Sequence, residues 1–492
     1  MSEAVSTAQH VDKTADLGVR AARGVMWTGG GQILRQLMQV GSTLVLVRLL
    51  VPDDFGVLGM AMFFVGIGQL LADFGIGSAL VQTRSDDRIV LSTCFWLNLA
   101  VAATLAAVML VASPLIGSFY NRPDLVPVVA VLSLNLLLAG LQVVPAALLY
   151  RDMRFSDLAR AQVLGSLVGG TTAILLAWAG AGVWALVAQP LVGSTVNLLI
   201  CWWAGQWLPR FEFSWLRTAP LARFSAALLA TNLVGYGNRN VDGLLIGRVL
   251  GAVPLGQYSL AIQLMLYPLQ QVSSVIVRVM FPTLVHIKDD LPRLRAAYLK
   301  AIGFIAFITF PIMGGLFALA DPFVLIVFGP NWTAVAPILK ILAWVGMLQS
   351  IGTTMGAIYL ITGNPGVALR VTLVTSPILI GGITIGLYWG INGVAIGYAI
   401  TSLSLFYYTA IKAFHFIELK LPEFHSTLIR PLASTLAMVL VLVIITSHFD
   451  SIGPLYLLLV GSLVGSALYL CISMLVNRSQ MISFIKIIRN IR

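Results

Sequence analysis

The sequence predicts an all-α polytopic membrane protein with about fourteen transmembrane helices. They form two six-helix lobes related by pseudo-twofold symmetry, plus two extra C-terminal helices. Three observations predict this. Of the 492 residues 59% are hydrophobic and only 10% are charged, whereas a soluble domain is about 45–50% apolar and about 25% charged. Apolar runs of spanning length recur along the whole chain. The two halves also share short motifs in the same order. A soluble enzyme, a disordered chain and a secreted disulfide scaffold are excluded by this composition.

A span needs roughly 20 mostly apolar residues. Read that way, the first six helices fall near 24–47, 56–81, 90–112, 125–149, 158–179 and 183–204. The next six fall near 223–248, 255–282, 297–320, 332–361, 367–388 and 391–413, and the last two near 429–447 and 454–476. Residues 1–22 form a polar tail with no apolar core or cleavage site, so no removable signal peptide is expected there. The map divides the chain into a cytoplasmic tail (1–22), an N-lobe (23–207), a cytoplasmic linker (208–222), a C-lobe (223–414), helices thirteen and fourteen (415–476) and a basic tail (477–492). In that last tail Met481, Phe484, Ile485, Ile488 and Ile491 alternate with Lys486, Arg489 and Arg492. This spacing predicts an amphipathic helix on the inner leaflet.

The net charge of +11 comes from 30 Lys+Arg against 19 Asp+Glu. These cations lie between apolar runs, so they report topology rather than nucleic-acid binding. With both termini cytoplasmic, 23 of the 30 fall on the cytoplasmic side. Only Arg48, Arg122, Arg248 and Lys340 fall on the other, and Arg35, Arg239 and Arg278 lie within spans. One missed helix would invert every later loop, so this asymmetry supports the count. Cys94, Cys201 and Cys471 lie far apart inside apolar segments and read as small core residues.

The halves are related by duplication. Arg48-Leu49-Leu50 leads into Phe55-Gly56, and Arg248-Val249-Leu250 leads into Leu255-Gly256. Gly182-Val183 and Gly393-Val394 open the sixth and twelfth helices, and Leu141-Gln142 has a counterpart in Leu348-Gln349. Six helices per repeat is an even number, so both repeats insert with the same orientation. A pseudo-twofold axis along the membrane normal follows, with a site between the lobes near the midplane.

A charged side chain at mid-membrane costs about 2.5–3.5 kcal/mol, so such residues usually face a cavity. In the first helix Gln32, Arg35, Gln36 and Gln39 share a face, and no acid lies within a turn of Arg35. In the seventh, Asn232, Tyr236, Arg239 and Asp242 form a similar stripe, and Arg239 and Asp242 are spaced to neutralise each other. In the eighth, Gln263, Tyr267, Gln271 and Arg278 run down one side. In the second, Gln69 and Asp73 share a face; Asp73 and Arg278, near cytoplasmic helix ends, are placed either to snorkel or to pair. Amides, hydroxyls and tyrosine rings suit sugars, and the planar fork of arginine suits phosphate. The expected ligand is therefore anionic and sugar-bearing. Asp73 and Asp242 are the candidates for coupling to a cation, H+ or Na+; no other cofactor and no metal is expected.

The sequence contains no GxxxxGK[ST], HExxH, CxxC or GxSxG segment. The outward loops are too short to build a pocket for glycan polymerisation. A transporter rather than an enzyme is expected.

Asn240-Val241-Asp242, Leu245-Ile246-Gly247, Leu255-Gly256-Gln257-Tyr258, Pro268-Leu269-Gln270, Phe281-Pro282 and Asp289-Asp290 resemble the seventh and eighth helix region of polysaccharide flippases. Leu50-Val51-Pro52, Phe55-Gly56 and Asp73-Phe74-Gly75 match in the first half. The chain is thus similar to Wzx-type transporters of the multidrug/oligosaccharidyl-lipid/polysaccharide exporter superfamily, nearest the colanic-acid-type branch. The resemblance implies a bacterial inner-membrane flippase for undecaprenyl-diphosphate-linked oligosaccharide repeat units, serving surface polysaccharide or lipopolysaccharide biosynthesis. It implies fourteen helices in two lobes around a central cavity with cationic residues, for which Arg35, Arg239 and Arg278 are the matching positions. Its partners would be the lipid-linked oligosaccharide, membrane lipids, a polymerase and other assembly proteins. Small-molecule export, as in the drug-extruding branch, and an integral-membrane glycan polymerase are the alternatives.

Overall fold

The computed structural model describes residues 27, 29–73, 80, 88–214, 232–233, 235–448 and 453–476. The polar tail 1–22, the amphipathic tail 477–492 and residues 215–222 of the linker lie outside the described residues. Among the described residues there is no strand, and fourteen long helices follow one another. They are α1 (29–49), α2 (Pro52–Asp73), α3 (Arg88–Tyr120), α4 (Leu125–Arg151), α5 (Phe155–Trp178), α6 (Val183–Gly205) and α7 (235–249). Then come α8 (Ala252–His286), α9 (Leu291–Ala318), α10 (Val335–Ile361), α11 (Pro365–Gly386), α12 (Gly390–His415), α13 (Leu421–His448) and α14 (Pro454–Val476). Eleven described segments are long and apolar enough to cross a membrane. The chain is a multi-pass, all-α membrane protein.

The helices extend beyond the apolar runs that predict them where polar residues continue a turn into the interface. The clearest case is α9, which begins at Leu291 rather than near 297. The Asp290 carboxylate accepts a hydrogen bond from the Arg293 amide at 3.2 Å and caps the first turn. Similarly, α13 begins at Leu421 rather than near 429. In α8 a five-residue π-turn, Leu269–Ser273, follows Pro268, at which the regular i to i−4 ladder is interrupted.

The chain divides into two compact units, Met1–Val253 and Pro254–Arg492. In the first, α3 packs on α4, α5 on α6, α4 on α6 and α2 on α4. In the second, α9 packs on α10, α11 on α12, α10 on α12 and α8 on α10. These are the same pairings displaced by six helices, as expected of a duplicated lobe. Glycines join the fifth and sixth helices of each repeat. A Cβ at Gly165 would lie 2.7 Å from the Gly193 carbonyl oxygen, and one at Gly386 would overlap the Gly393 carbonyl. Small residues allow this backbone approach, which supplies packing where lipid gives helices no hydrophobic drive to associate. Outside the duplication, α13 packs on α9 and α14 on α13.

The seventh helix packs within the first unit. The Tyr236 hydroxyl donates to the carbonyls of Met62 and Phe63, at 3.0 and 3.2 Å. Gly66 makes this approach possible, since a Cβ there would overlap the Tyr236 hydroxyl. At the other end of α7 the Arg248 guanidinium donates to the Phe119 carbonyl and lies 5.2 Å from the centre of the Phe119 ring. The start of the linker is laid along the first turns of α3. Trp96 Nε1 donates to the Arg210 carbonyl at 2.8 Å, and the Arg210 amide donates to Ser92 Oγ at 3.1 Å.

Candidate functional site

Three layers stack along α5 and α6. At one end Leu46, Leu50, Ala173, Ala177, Ala185 and Leu186 form an apolar cluster. At the other, Leu149, Leu158, Ala161, Cys201 and Ala204 form a second. Between them lies a polar cleft of about 340 Å³, bounded by α1, α2, α5 and α6. Its position between two dry clusters places its polar groups at the middle of the helices, where they cost most and so mark a site of function.

The first helix contributes Arg35, Gln39 and Thr43, at the i, i+4, i+8 spacing of one helical face. The fifth contributes Gln162 and Ser166, and the sixth Gln189, Ser194 and Asn197. Leu58 and Met62 supply an apolar wall from α2. Pro190 lies inside α6 and also lines the cleft. It removes one rung of the helical ladder there.

Among the described residues Arg35 supplies the only charge that lines the cleft. Its Nη2 donates to Gln32 Oε1 at 3.1 Å. Its Nε is buried and finds no partner among the described residues. A buried N–H without an acceptor costs about 1–3 kcal/mol. Among the described residues no carboxylate lines the cleft. Gln189 Nε2 donates to Ser42 Oγ at 3.3 Å, and Ser42 Oγ donates to the Gln39 carbonyl at 3.1 Å. Asn197 Oδ1 accepts from Cys201 Sγ at 3.4 Å.

The sequence candidates fall into separate places. Arg35 and Gln39 line the cleft, Gln32 orients Arg35, and Gln36 is half-buried on the same helix. Asn232, before α7, and Arg239, on it, are exposed, and Tyr236 is engaged with the α2 backbone. The Asp242 carboxylate accepts from the Gly243 amide at 2.8 Å. Asp73 closes α2; its side chain lies outside the described residues. In the second unit Gln263 Nε2 donates to Tyr267 Oη at 3.1 Å, and Gln271 and Arg278 are exposed on and beyond the π-turn.

Sequence reasoning missed Gln162, Ser166, Gln189, Ser194 and Asn197. The signal was present: Gln162 and Ser166 are i, i+4 within an apolar span, and Gln189 lies eight residues before Asn197 on α6. A search keyed to charged residues passes over neutral amides.

The chain is similar to proteins of known role. It is 28% identical over 395 residues to the lipopolysaccharide biosynthesis protein WzxC of Escherichia coli K12, covering 79% of this chain and 80% of that protein. It is 29% identical over 444 residues to the succinoglycan biosynthesis transport protein ExoT of Rhizobium meliloti 1021, covering 88% and 89%. The fold is that of the lipid II flippase MurJ in an inward closed conformation, with a TM-score of 0.73 and 15% identity over 92% of this chain and 99% of that one. Residues 45–337, more than half of the chain, match the polysaccharide biosynthesis protein family, and the chain belongs to that family.

Proposed function

We propose that the chain flips an undecaprenyl-diphosphate-linked oligosaccharide repeat unit across a bacterial inner membrane, from the cytoplasmic to the periplasmic leaflet. It is a transporter, and its cargo serves surface or exopolysaccharide synthesis. Family membership and the names of its relatives support the class of cargo. The observation that carries the reading on this chain is Arg35: a guanidinium on an apolar helix that lines a cleft together with amides and, among the described residues, with no acid. That set suits an anionic, hydroxyl-rich cargo and does not suit the cationic compounds a drug exporter would carry.

The duplicated units supply a means of alternating access, each moving as a lobe. Arg35, Arg239 and Arg278 are the candidate contacts for anionic groups of the cargo, each described within its own unit, while the lipid tail stays in the bilayer. The charge asymmetry of the loops supports cytoplasmic termini. Asp73 and Asp242 remain the residues for coupling to H+ or Na+. A polymerase in the periplasmic leaflet would consume the flipped unit.

Deleting the gene tests this. The expected outcome is loss of surface polysaccharide with accumulation of a lipid-linked oligosaccharide on the cytoplasmic face. Normal surface polysaccharide in the deletion strain overturns the proposal.

A further inference from the structure

We infer that the cleft inside the first unit is a sugar-sized binding site, in which carboxamides of α5 and α6 hold one hydroxyl-bearing residue of the cargo while Arg35 holds an anionic group beside it. This rests on the flippase reading and places part of the cargo within one lobe, on helices that the polar stripes of α1, α7 and α8 do not include.

Three observations carry it. The first is chemistry. Gln39, Gln162, Gln189 and Asn197 each offer both donors and an acceptor. A sugar ring presents the same alternation of donor and acceptor, and a lipid tail or an aromatic drug does not. Leu58 and Met62 give the aliphatic surface on which the C–H face of a pyranose rests.

The second is vacancy of hydrogen-bonding groups. A serine or threonine in a membrane helix ordinarily returns its hydroxyl proton to a carbonyl three or four residues back. Thr172 and Thr195, on the same two helices but away from the cleft, do so to Val168 and Leu191 at 2.8 Å. Among the described residues Thr43, Ser166 and Ser194, which line the cleft, make no such bond, and the Gln162 amide has no partner. These unused donors and acceptors belong to residues that line one volume, together with Arg35.

The third is size. About 340 Å³ is at the small end of ligand sites, which run from about 300 to 1,000 Å³. One or two sugar rings fit, and a whole repeat unit does not. The site therefore reads part of the glycan and leaves the remainder to the space outside it. Pro190 and the Gly165–Gly193 contact fix the separation of α5 and α6 along this wall, so the cleft is set by backbone rather than by flexible side chains. Met62 is held in turn by the Tyr236 hydroxyl on its carbonyl, which makes Tyr236 a positioning residue for the site.

The anion at Arg35 is either the diphosphate or a carboxylate on the sugar, and binding assays separate the two. The full-length protein is placed in nanodiscs and titrated with three probes: undecaprenyl diphosphate, the lipid-linked oligosaccharide extracted from the deletion strain, and the oligosaccharide released from it by mild acid. Wild type is expected to bind the intact cargo at least about ten-fold more tightly than bare undecaprenyl diphosphate. Gln162→Leu, Asn197→Leu and the milder Ser194→Ala are each expected to weaken intact cargo by about three- to ten-fold and to leave undecaprenyl diphosphate unchanged. That unchanged affinity also shows that the variants fold. Arg35→Ala is expected to weaken undecaprenyl diphosphate if it holds the diphosphate, or the released oligosaccharide if it holds a sugar carboxylate. Variants that bind intact cargo as wild type does, or that weaken both lipids equally, overturn the sugar site. Wild type that binds none of the three probes overturns the flippase reading instead.

Discussion

A guanidinium set among apolar helices must find acceptors for five N–H groups, and Arg35 finds one of them in Gln32. Its remaining demand defines what the cleft can take. Arg35→Ala is expected to abolish polymer export while the protein still inserts, and Arg35→Lys to restore little of it, because an ammonium cannot bind phosphate bidentately. Surface polysaccharide measured in the complemented deletion strain checks both. Normal export by Arg35→Ala would contradict the role. Tyr236 acts differently: its hydroxyl serves α2 carbonyls. Tyr236→Phe and Gly66→Ala disturb the same contact from its two sides, so the account expects matching losses of export, and unequal ones would separate the residues. Arg35 was legible in the sequence because a lone charge within a span is costly and conspicuous. The amides Gln162, Gln189 and Asn197 were not, since they share no helical stripe with a charge inside the span, and only the fold shows that α5 and α6 turn them toward the cleft.

Among the elements, the α5–α6 pair has the closest backbone approach in the first unit that bears on the cleft. Gly165→Ala forces a methyl to 2.7 Å from the Gly193 carbonyl oxygen, and the expected cost is about 1–3 kcal/mol, read as a lower unfolding temperature of the purified protein. An unchanged unfolding temperature would show that the two helices can part freely. At the loop between α3 and α4, Arg122 bridges Asp53 at 2.7 Å and Asp124 at 2.7 Å, tying that loop to the start of α2. The hydrogen bond from Arg122 holds the Asp124 carboxyl below its ordinary value of 3.8. A lowered carboxyl stabilises the fold above its unfolded pKa and loses that contribution as pH falls through the folded value. Stability should therefore drop below about pH 4, and Arg122→Gln should flatten this part of the profile. The effect is small, because both groups are partly in water. Helix positions were legible to within a few residues for most spans, while α3 runs on to Tyr120, well past the expected end near 112. The starts of α9 and α13 were not, because Asp290 and the polar residues after Leu421 extend those helices beyond the apolar run.

The duplicated pairing of helices is the property of the whole chain that the mechanism uses. Each unit repeats the other's contacts six helices on, and α7, which the sequence repeat assigns to the second lobe, bonds to α2 and α3 through Tyr236 and Arg248. Sequence motifs alone revealed the repeat, because helix count and loop charge are topological quantities. No spacing rule predicts the contacts that Tyr236, Gly66 and Arg248 make at α7. Transbilayer movement of a lipid-linked oligosaccharide is read in liposomes containing the purified full-length chain and the cargo extracted from the deletion strain. Membrane-impermeant periodate added outside oxidises only outward-facing sugar. Wild-type liposomes are expected to bring the protected inner pool to the reagent, and Arg35→Ala liposomes to leave it protected. Wild-type liposomes that protect as much cargo as protein-free ones would contradict the account.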